Sequence, residues 1–138
     1  MKRYAIIVAG GSGQRMKSSV PKQFIELNGK PVLMHTIEKF YSAGSSINIV
    51  VVLPKSHHSA WATLSHKHQF NIPHQICEGG GSRFQSVKNG LQLCVEESII
   101  AVHDGVRPLI NPDLILNLYK EAESNNAVIP VCPVSESI

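Results

Sequence analysis

Residues 4–13, "YAIIVAGGSG", decide the fold, because an apolar run stops abruptly at a cluster of glycines. A short run of this kind is typical of a strand that is covered on both faces of a parallel sheet. Glycine lets the backbone turn sharply and approach a ligand closely. The segment therefore predicts an α/β protein whose first strand feeds a glycine loop.

Strand-like and helix-like patterns alternate along the rest of the chain. The predicted strands lie at residues 4–9, 47–53, 72–77, 98–103 and 127–131. Helices are predicted between them, with Ser82 and Asn111 as N-caps. Their apolar faces are expected to include Tyr41, Phe84 and Leu91. Right-handed crossovers between the strands give a mostly parallel sheet with helices on both faces, in three layers.

The composition indicates one globular domain with no basic surface for nucleic acid. Of 138 residues, 43% are hydrophobic and 17% are charged, and the net charge is only +3. The apolar run after Met1 is too short for a secretory signal or a membrane span, so we expect a cytoplasmic protein without membrane contact. Cys77, Cys94 and Cys132 form no C-x-x-C pair, and we expect buried, reduced thiols.

The glycine loop fits neither of two common phosphate-binding motifs. A Walker motif fails because Arg15 stands where its second glycine belongs, and no Gly-Lys-Ser follows. The dinucleotide fingerprint fails because Met16 replaces its third glycine. No acidic residue ends the second strand, where Leu53 stands, so an NAD-linked oxidoreductase is disfavoured.

Three unusual stretches, at 10–15, 79–83 and 103–108, each follow a predicted strand. The carboxyl ends of parallel strands meet at one edge of a sheet, which is where ligands bind in such folds. We therefore expect the three stretches to converge on one site. Bare glycine N–H groups beside the cations Arg15 and Lys22 suit the phosphates of a nucleotide.

The motifs "AGGSGQRM", "PKQF", "EGGGSRFQSVKNGL" and "VHDGVRP" occur in this order. Together they resemble the 2-C-methyl-D-erythritol 4-phosphate cytidylyltransferase family of the non-mevalonate isoprenoid pathway. The resemblance implies a Rossmann-like nucleotidyltransferase fold, CTP and a polyol phosphate as substrates, Mg²⁺ as cofactor, and a homodimer. Residues 1–138 would be the N-terminal, CTP-binding part of one cytidylyltransferase domain, and we expect the chain to be a fragment.

Site residues follow from the same resemblance. Arg15 and Lys22 are implied to be catalytic, Asp104 to bind the metal, and Ser137 to lie near the polyol phosphate. The residues implied to bind the nucleotide are Val8, Ala9, Gly10, Gly11, Ser12, Gly13, Gly80, Gly81, Arg83, Ser86 and Gly105. The chain departs from the family pattern at Gly81, where many relatives have an acidic residue, and at Gly105, where alanine is common.

The implied reaction needs positive charge rather than a general base. A phosphate monoester is already anionic near neutral pH, since its second pKa is about 6. The difficulty lies in bringing this anion to a polyanion, and fixed cations such as Arg15 and Lys22 reduce the repulsion. The sequence accordingly offers no convincing Ser–His–Asp or paired-carboxylate set.

Several alternatives stay open at this point. Two roles are open for Asp104, namely metal binding and capping of the next turn. Two roles are also open for Arg107: it binds phosphate, or it locks the loop through a carboxylate, which is the role we favour. The histidines at 57, 58, 66 and 68 are interpreted as surface residues rather than a zinc site, and His103 as a structural neighbour of Asp104. A pentitol-phosphate cytidylyltransferase, such as one for ribitol 5-phosphate, and a noncatalytic nucleotide-binding domain remain the other functions considered.

Overall fold

A parallel sheet of four strands forms the centre of the protein. The structure is a computed structural model that describes residues 1–10 and 19–135. The four strands are β1 (Lys2–Val8), β4 (Asn48–Leu53), β5 (Gln75–Glu78) and β6 (Ser98–Asp104). Their order across the sheet is β5-β4-β1-β6. Every pairing among them is parallel. The predicted α/β class is confirmed.

Helices cover both faces of this sheet. The four helices are α1 (Val32–Ala43), α2 (His58–Lys67), α3 (Arg83–Leu91) and α4 (Pro112–Ala122). Alternate residues of β1 point to opposite faces: Ala5 and Ile7 pack with α1, α2 and α4, whereas Tyr4 and Ile6 face α3. Nearly continuous apolar strands are required because both faces are covered.

The expected N-caps are present, and they fix where two of the helices begin. The Ser82 hydroxyl accepts a hydrogen bond from the Gln85 N–H at 3.1 Å. The Asn111 side chain accepts one from the Asp113 N–H at 2.8 Å, with Pro112 in the first turn of α4. Each bond satisfies an N–H group that the helix itself leaves unpaired.

A small antiparallel hairpin connects β1 to α1. Its strands are β2 (Glu26–Leu27) and β3 (Lys30–Pro31). Asn28 and Gly29 form the turn with φ of 52° and 89°, a left-handed conformation that these two residue types tolerate best.

The expected inward faces of two helices are wrong in part. Tyr41 is 39% exposed, Phe84 is 77% exposed and Leu91 is also exposed. Helix α3 turns Ser86 and Gly90 towards the sheet instead; a Cβ on Gly90 would lie 2.8 Å from the Ile6 side chain. Small residues permit this close approach, so the apolar pattern alone gave the wrong face.

The strand expected at 127–131 is also absent. These residues have no regular secondary structure, and Ile129 is 78% exposed. A strand persists only where a neighbour satisfies its backbone groups, and no strand among the described residues pairs with this stretch. Cys132 lies exposed just beyond it, contrary to expectation, whereas Cys77 and Cys94 are half-buried. Within the described residues, none of the helices combines the length and apolarity that a membrane span needs.

Tyr119 of α4 joins the helix layer to the sheet. Its buried hydroxyl donates to the Tyr4 carbonyl at 2.6 Å, and burial raises the pKa of the Tyr119 phenol. We expect Tyr119→Phe to lower the free energy of unfolding by about 1–2 kcal/mol, because a buried carbonyl loses a donor. Chemical denaturation measures this, with Tyr41→Phe as control. Equal stability of the two variants would contradict this role.

The cysteines should differ in reactivity. Burial raises the pKa of the Cys77 and Cys94 thiols, which reduces their thiolate fraction, whereas Cys132 is exposed. At about pH 8 we expect one fast phase with an aromatic disulfide reagent, and Cys132→Ser should remove it. A fast phase that persists in Cys132→Ser would contradict the burial of the other two thiols.

Candidate functional site

A cavity of about 530 Å³ opens at the carboxyl ends of the strands. Its position follows from the register of the sheet, in which Val8 lies opposite both Val52 and Asp104. The predicted site residues that line it are Val8, Ala9, Gly10, Lys22, Gly80, Gly81, Arg83, Ser86 and Asp104. The described parts of the three motif stretches thus meet at one site, as expected.

The remaining predicted residues lie elsewhere or cannot be placed. Gly105 is buried beside the cavity, where its N–H donates to the Val8 carbonyl at 2.9 Å. The residues that fall outside the described part of the chain are Gly11, Ser12, Gly13, Arg15 and Ser137. A second cavity, of about 390 Å³, lies between the β2–β3 hairpin and residues 68–72 and is lined by none of the predicted site residues.

Ser86 lies between Gly10, just after the end of the first strand, and Gly80, in the loop before α3. Its hydroxyl oxygen accepts a hydrogen bond from the Gly80 N–H at 3.0 Å, and the residue is only 2% exposed. A Cβ on Gly10 would lie 2.9 Å from the same oxygen, so glycine is needed there. Accepting this bond leaves the hydroxyl proton of Ser86 for another partner. Ser86 therefore holds the wall of the cavity and can still donate into it.

Asp104 lies between two arginines. Its Oδ1 is 2.6 Å from a guanidinium nitrogen of Arg83, and its Oδ2 is 3.0 Å from Nε of Arg107. The favoured interpretation of Arg107, that it locks its loop through a carboxylate, agrees with this geometry. His103 contributes to the same turn, because a ring nitrogen lies 2.9 Å from the Arg107 carbonyl.

Lys22 reaches the cavity from a 3₁₀ turn, Lys22–Phe24, in which the next two side chains are buried. Gln23 is 3% exposed, and its amide nitrogen lies 3.1 Å from the Ala9 carbonyl and 3.2 Å from Nδ1 of His57. Sequence reasoning missed both Gln23 and His57. The available signal was the position of Gln23 inside "PKQF", directly after the predicted catalytic lysine.

The interpretation of the histidines as surface residues is wrong for most of them. His57 and His58 are half-buried, and His58 has a ring nitrogen 2.9 Å from the Leu53 carbonyl. His68 is also half-buried, with a ring nitrogen 3.9 Å from a Glu26 carboxylate oxygen. Only His66 of this set is exposed. His57 and His58 lie at the start of α2 and His68 directly after its end, where each contacts a neighbouring segment of the chain.

The close approach of Gly10 to Ser86 can be tested by adding a side chain at Gly10. We expect Gly10→Ala to cost about 1–3 kcal/mol of stability, because the new methyl group overlaps the Ser86 hydroxyl. In a Ser86→Ala background the cost should shrink, since the remaining Ser86 Cβ would be 3.6 Å away. Denaturation of both single variants and the double variant measures the coupling. Strictly additive losses would contradict the close approach.

Comparison with known proteins gives consistent matches over nearly the whole chain. A family model described as 2-C-methyl-D-erythritol 4-phosphate cytidylyltransferase (IspD) matches residues 4–138. Curated proteins of that name from Azobacteroides pseudotrichonymphae and Phocaeicola vulgatus are each 48% identical, over 99% and 100% of this chain. The chain spans only 62% and 63% of their respective lengths.

A solved structure agrees with these sequence matches. The crystal structure of 4-diphosphocytidyl-2C-methyl-D-erythritol synthase from Anaerococcus prevotii superposes with a TM-score of 0.72 at 27% identity. The superposition covers 90% of this chain and 52% of that protein. The Rossmann-like three-layer fold expected from the sequence is thereby confirmed.

Proposed function

The chain belongs to the 2-C-methyl-D-erythritol 4-phosphate cytidylyltransferase family, and we propose that it provides the CTP-binding part of such an enzyme. The enzyme transfers CMP from CTP to 2-C-methyl-D-erythritol 4-phosphate and releases pyrophosphate. The observation that carries this proposal is the cavity in which Gly10, Lys22, Gly80, Ser86 and Asp104 meet. Residues 1–138 form this part within one cytidylyltransferase domain.

The phosphates of CTP lie beside the β1 loop in this proposal. Lys22 is exposed at the cavity and supplies positive charge to the α-phosphate and the departing pyrophosphate. Arg15 is proposed to act together with Lys22, and this role of Arg15 rests on the sequence motif. Val8, Ala9 and Gly10 line the cavity, and we propose that their backbone lies next to the nucleotide. The loop residues proposed to cradle the phosphates are Gly11, Ser12 and Gly13.

The base of CTP lies against the loop before α3. Gly80 and Gly81 have no side chains, and both line the cavity, so the flat base can approach their backbone closely. The hydroxyl proton of Ser86 and the guanidinium of Arg83 are donors for the cytosine acceptors. Gly105 is buried beside the cavity, and we propose that its backbone lies near the ribose.

Mg²⁺ is the proposed cofactor, and Asp104 is the residue that would hold it. Mg²⁺ in nucleotide sites is commonly held by one or two carboxylates together with phosphate oxygens, and Asp104 lines the same cavity as Lys22. A carboxylate oxygen suits Mg²⁺, and Asp104 offers one when Arg83 or Arg107 releases it. When bound, the ion neutralises phosphate charge.

The chain's own residues position reactants rather than move protons. The attacking phosphate of the polyol is already anionic near neutral pH, so no general base is required. Fixed cations lower the repulsion between the two anions and hold them in line for transfer. Ser137 is proposed to lie near the polyol phosphate. A cytoplasmic location and a homodimer are proposed from the family resemblance.

The function is tested by pyrophosphate release from CTP in the longest natural form of the protein. We expect release with 2-C-methyl-D-erythritol 4-phosphate and little with ribitol 5-phosphate. Preference for a pentitol phosphate would reassign the second substrate. CTP binding without release by any polyol phosphate would point to a noncatalytic nucleotide-binding domain.

The catalytic cations are tested in the same assay. We expect Lys22→Ala and Arg15→Ala each to lower kcat by on the order of a hundredfold, because charge on the transferred phosphate loses its partner. CTP affinity should fall less, by about tenfold, which is the contribution of a hydrogen bond to a charged group. Lys120→Ala, on the exposed side of α4, is the matched control and should keep the wild-type rate. Wild-type turnover in Lys22→Ala would refute the assignment.

A further inference from the structure

We propose that Gln23 is a positioning residue that fixes Lys22 at the phosphate end of the cavity, with His57 as its support. The inference rests on the proposed function, in which Lys22 contacts the CTP phosphates. Its physical basis is the pair of hydrogen bonds that the buried Gln23 amide makes to Ala9 and His57. It goes beyond the family's motif because His57 belongs to a different part of the chain.

The orientation of the Gln23 amide is determined by its first partner. The Ala9 carbonyl can only accept, so the amide nitrogen must face it, at 3.1 Å. The second hydrogen of this nitrogen then points to Nδ1 of His57 at 3.2 Å. Because Nδ1 must accept, His57 carries its ring proton on Nε2. Both donors of the buried amide nitrogen are therefore satisfied.

These bonds restrain the turn that carries Lys22. The Phe24 N–H donates to the Pro21 carbonyl at 2.9 Å, and the Ile25 N–H donates to the Lys22 carbonyl at 3.3 Å. Phe24 is buried and packs edge-on against His57, with ring centroids 5.7 Å apart. The backbone of Lys22 cannot shift without breaking the bonds of the next residue or exposing Phe24.

The Ala9 carbonyl connects the Lys22 turn to the end of β1. Ala9 immediately precedes Gly10, and its own N–H donates to the Val52 carbonyl at 2.8 Å, which extends the pairing of β1 with β4. Gln23 therefore ties the Lys22 turn to the end of the central strand. This tie sets how far the backbone of Lys22 lies from Ala9 and Gly10. An apolar side chain of similar length would fill the space without setting the distance.

A double-mutant cycle on CTP affinity tests the inference. The variants are Lys22→Ala, Gln23→Met and the double variant, titrated with CTP by calorimetry. We expect Gln23→Met to weaken CTP binding by about tenfold, the worth of a hydrogen bond to a charged group. In the Lys22→Ala background the same change should have less than about a twofold effect, because the group being positioned is gone.

Each result of this cycle has a defined meaning. An equal loss of CTP affinity in both backgrounds would show that Gln23 acts independently of Lys22 and would overturn the inference. Wild-type affinity in Gln23→Met would overturn it as well. If the wild-type chain itself binds no CTP, the proposed function is at fault, and the restraint is then judged by a measurement without ligand.

Hydrogen exchange in the free protein provides that measurement. We expect Gln23→Met to speed exchange at the Phe24 and Ile25 amides by about tenfold or more, with no change at Val51 in the middle of β4. His57→Ala should speed exchange at the same amides. His57→Asn should restore much of the protection, since an amide oxygen near the Nδ1 position can accept. Unchanged exchange at Phe24 and Ile25 in Gln23→Met would refute the restraint.

Discussion

Val8, at the end of β1, lies opposite Val52 of β4 on one side and Asp104 of β6 on the other. The pairing continues one residue further, through the Ala9 N–H to Val52 and the Gly105 N–H to Val8. The chain therefore leaves β1 and β6 at the same level of the sheet. A slip of one residue in either pairing would also turn the apolar side chains of a strand to the wrong face. The two apolar layers consequently fix the points at which the chain enters the site, at Ala9 and at Gly105.

Asp104 and the two arginines that contact it form one cluster of charges. Arg83 from the start of α3 and Arg107 from the loop after β6 each take one oxygen of this carboxylate. Two guanidiniums on one carboxylate leave excess positive charge at the cavity, to which Lys22 adds. A polyanionic ligand would reduce the repulsion among these cations. The exposed guanidiniums can exchange partners at low cost, since surface ion pairs contribute little stability.

The sequence predicted those parts of the fold that depend on local pattern. The buried strands, the caps at Ser82 and Asn111, and the convergence of three loops all follow from residue type and spacing. The face of α3 was missed because Gly90 and Ser86, rather than large apolar residues, approach the sheet. The stretch at 127–131 was missed because a strand requires a partner that residue pattern cannot supply. Gln23 and His57 meet across 34 positions of the chain, and no local signal reports such a contact.

The aromatic cluster behind the Lys22 turn has an optical consequence. Trp61 is the single tryptophan of the chain, and its ring is stacked on Phe24 with centroids 6.0 Å apart. Its indole N–H donates to His74 at 3.0 Å, so the ring is fixed on both sides. Intrinsic fluorescence of this chain therefore comes chiefly from one indole that adjoins the lysine-bearing turn, and the emission of the unlabelled protein reports on that turn.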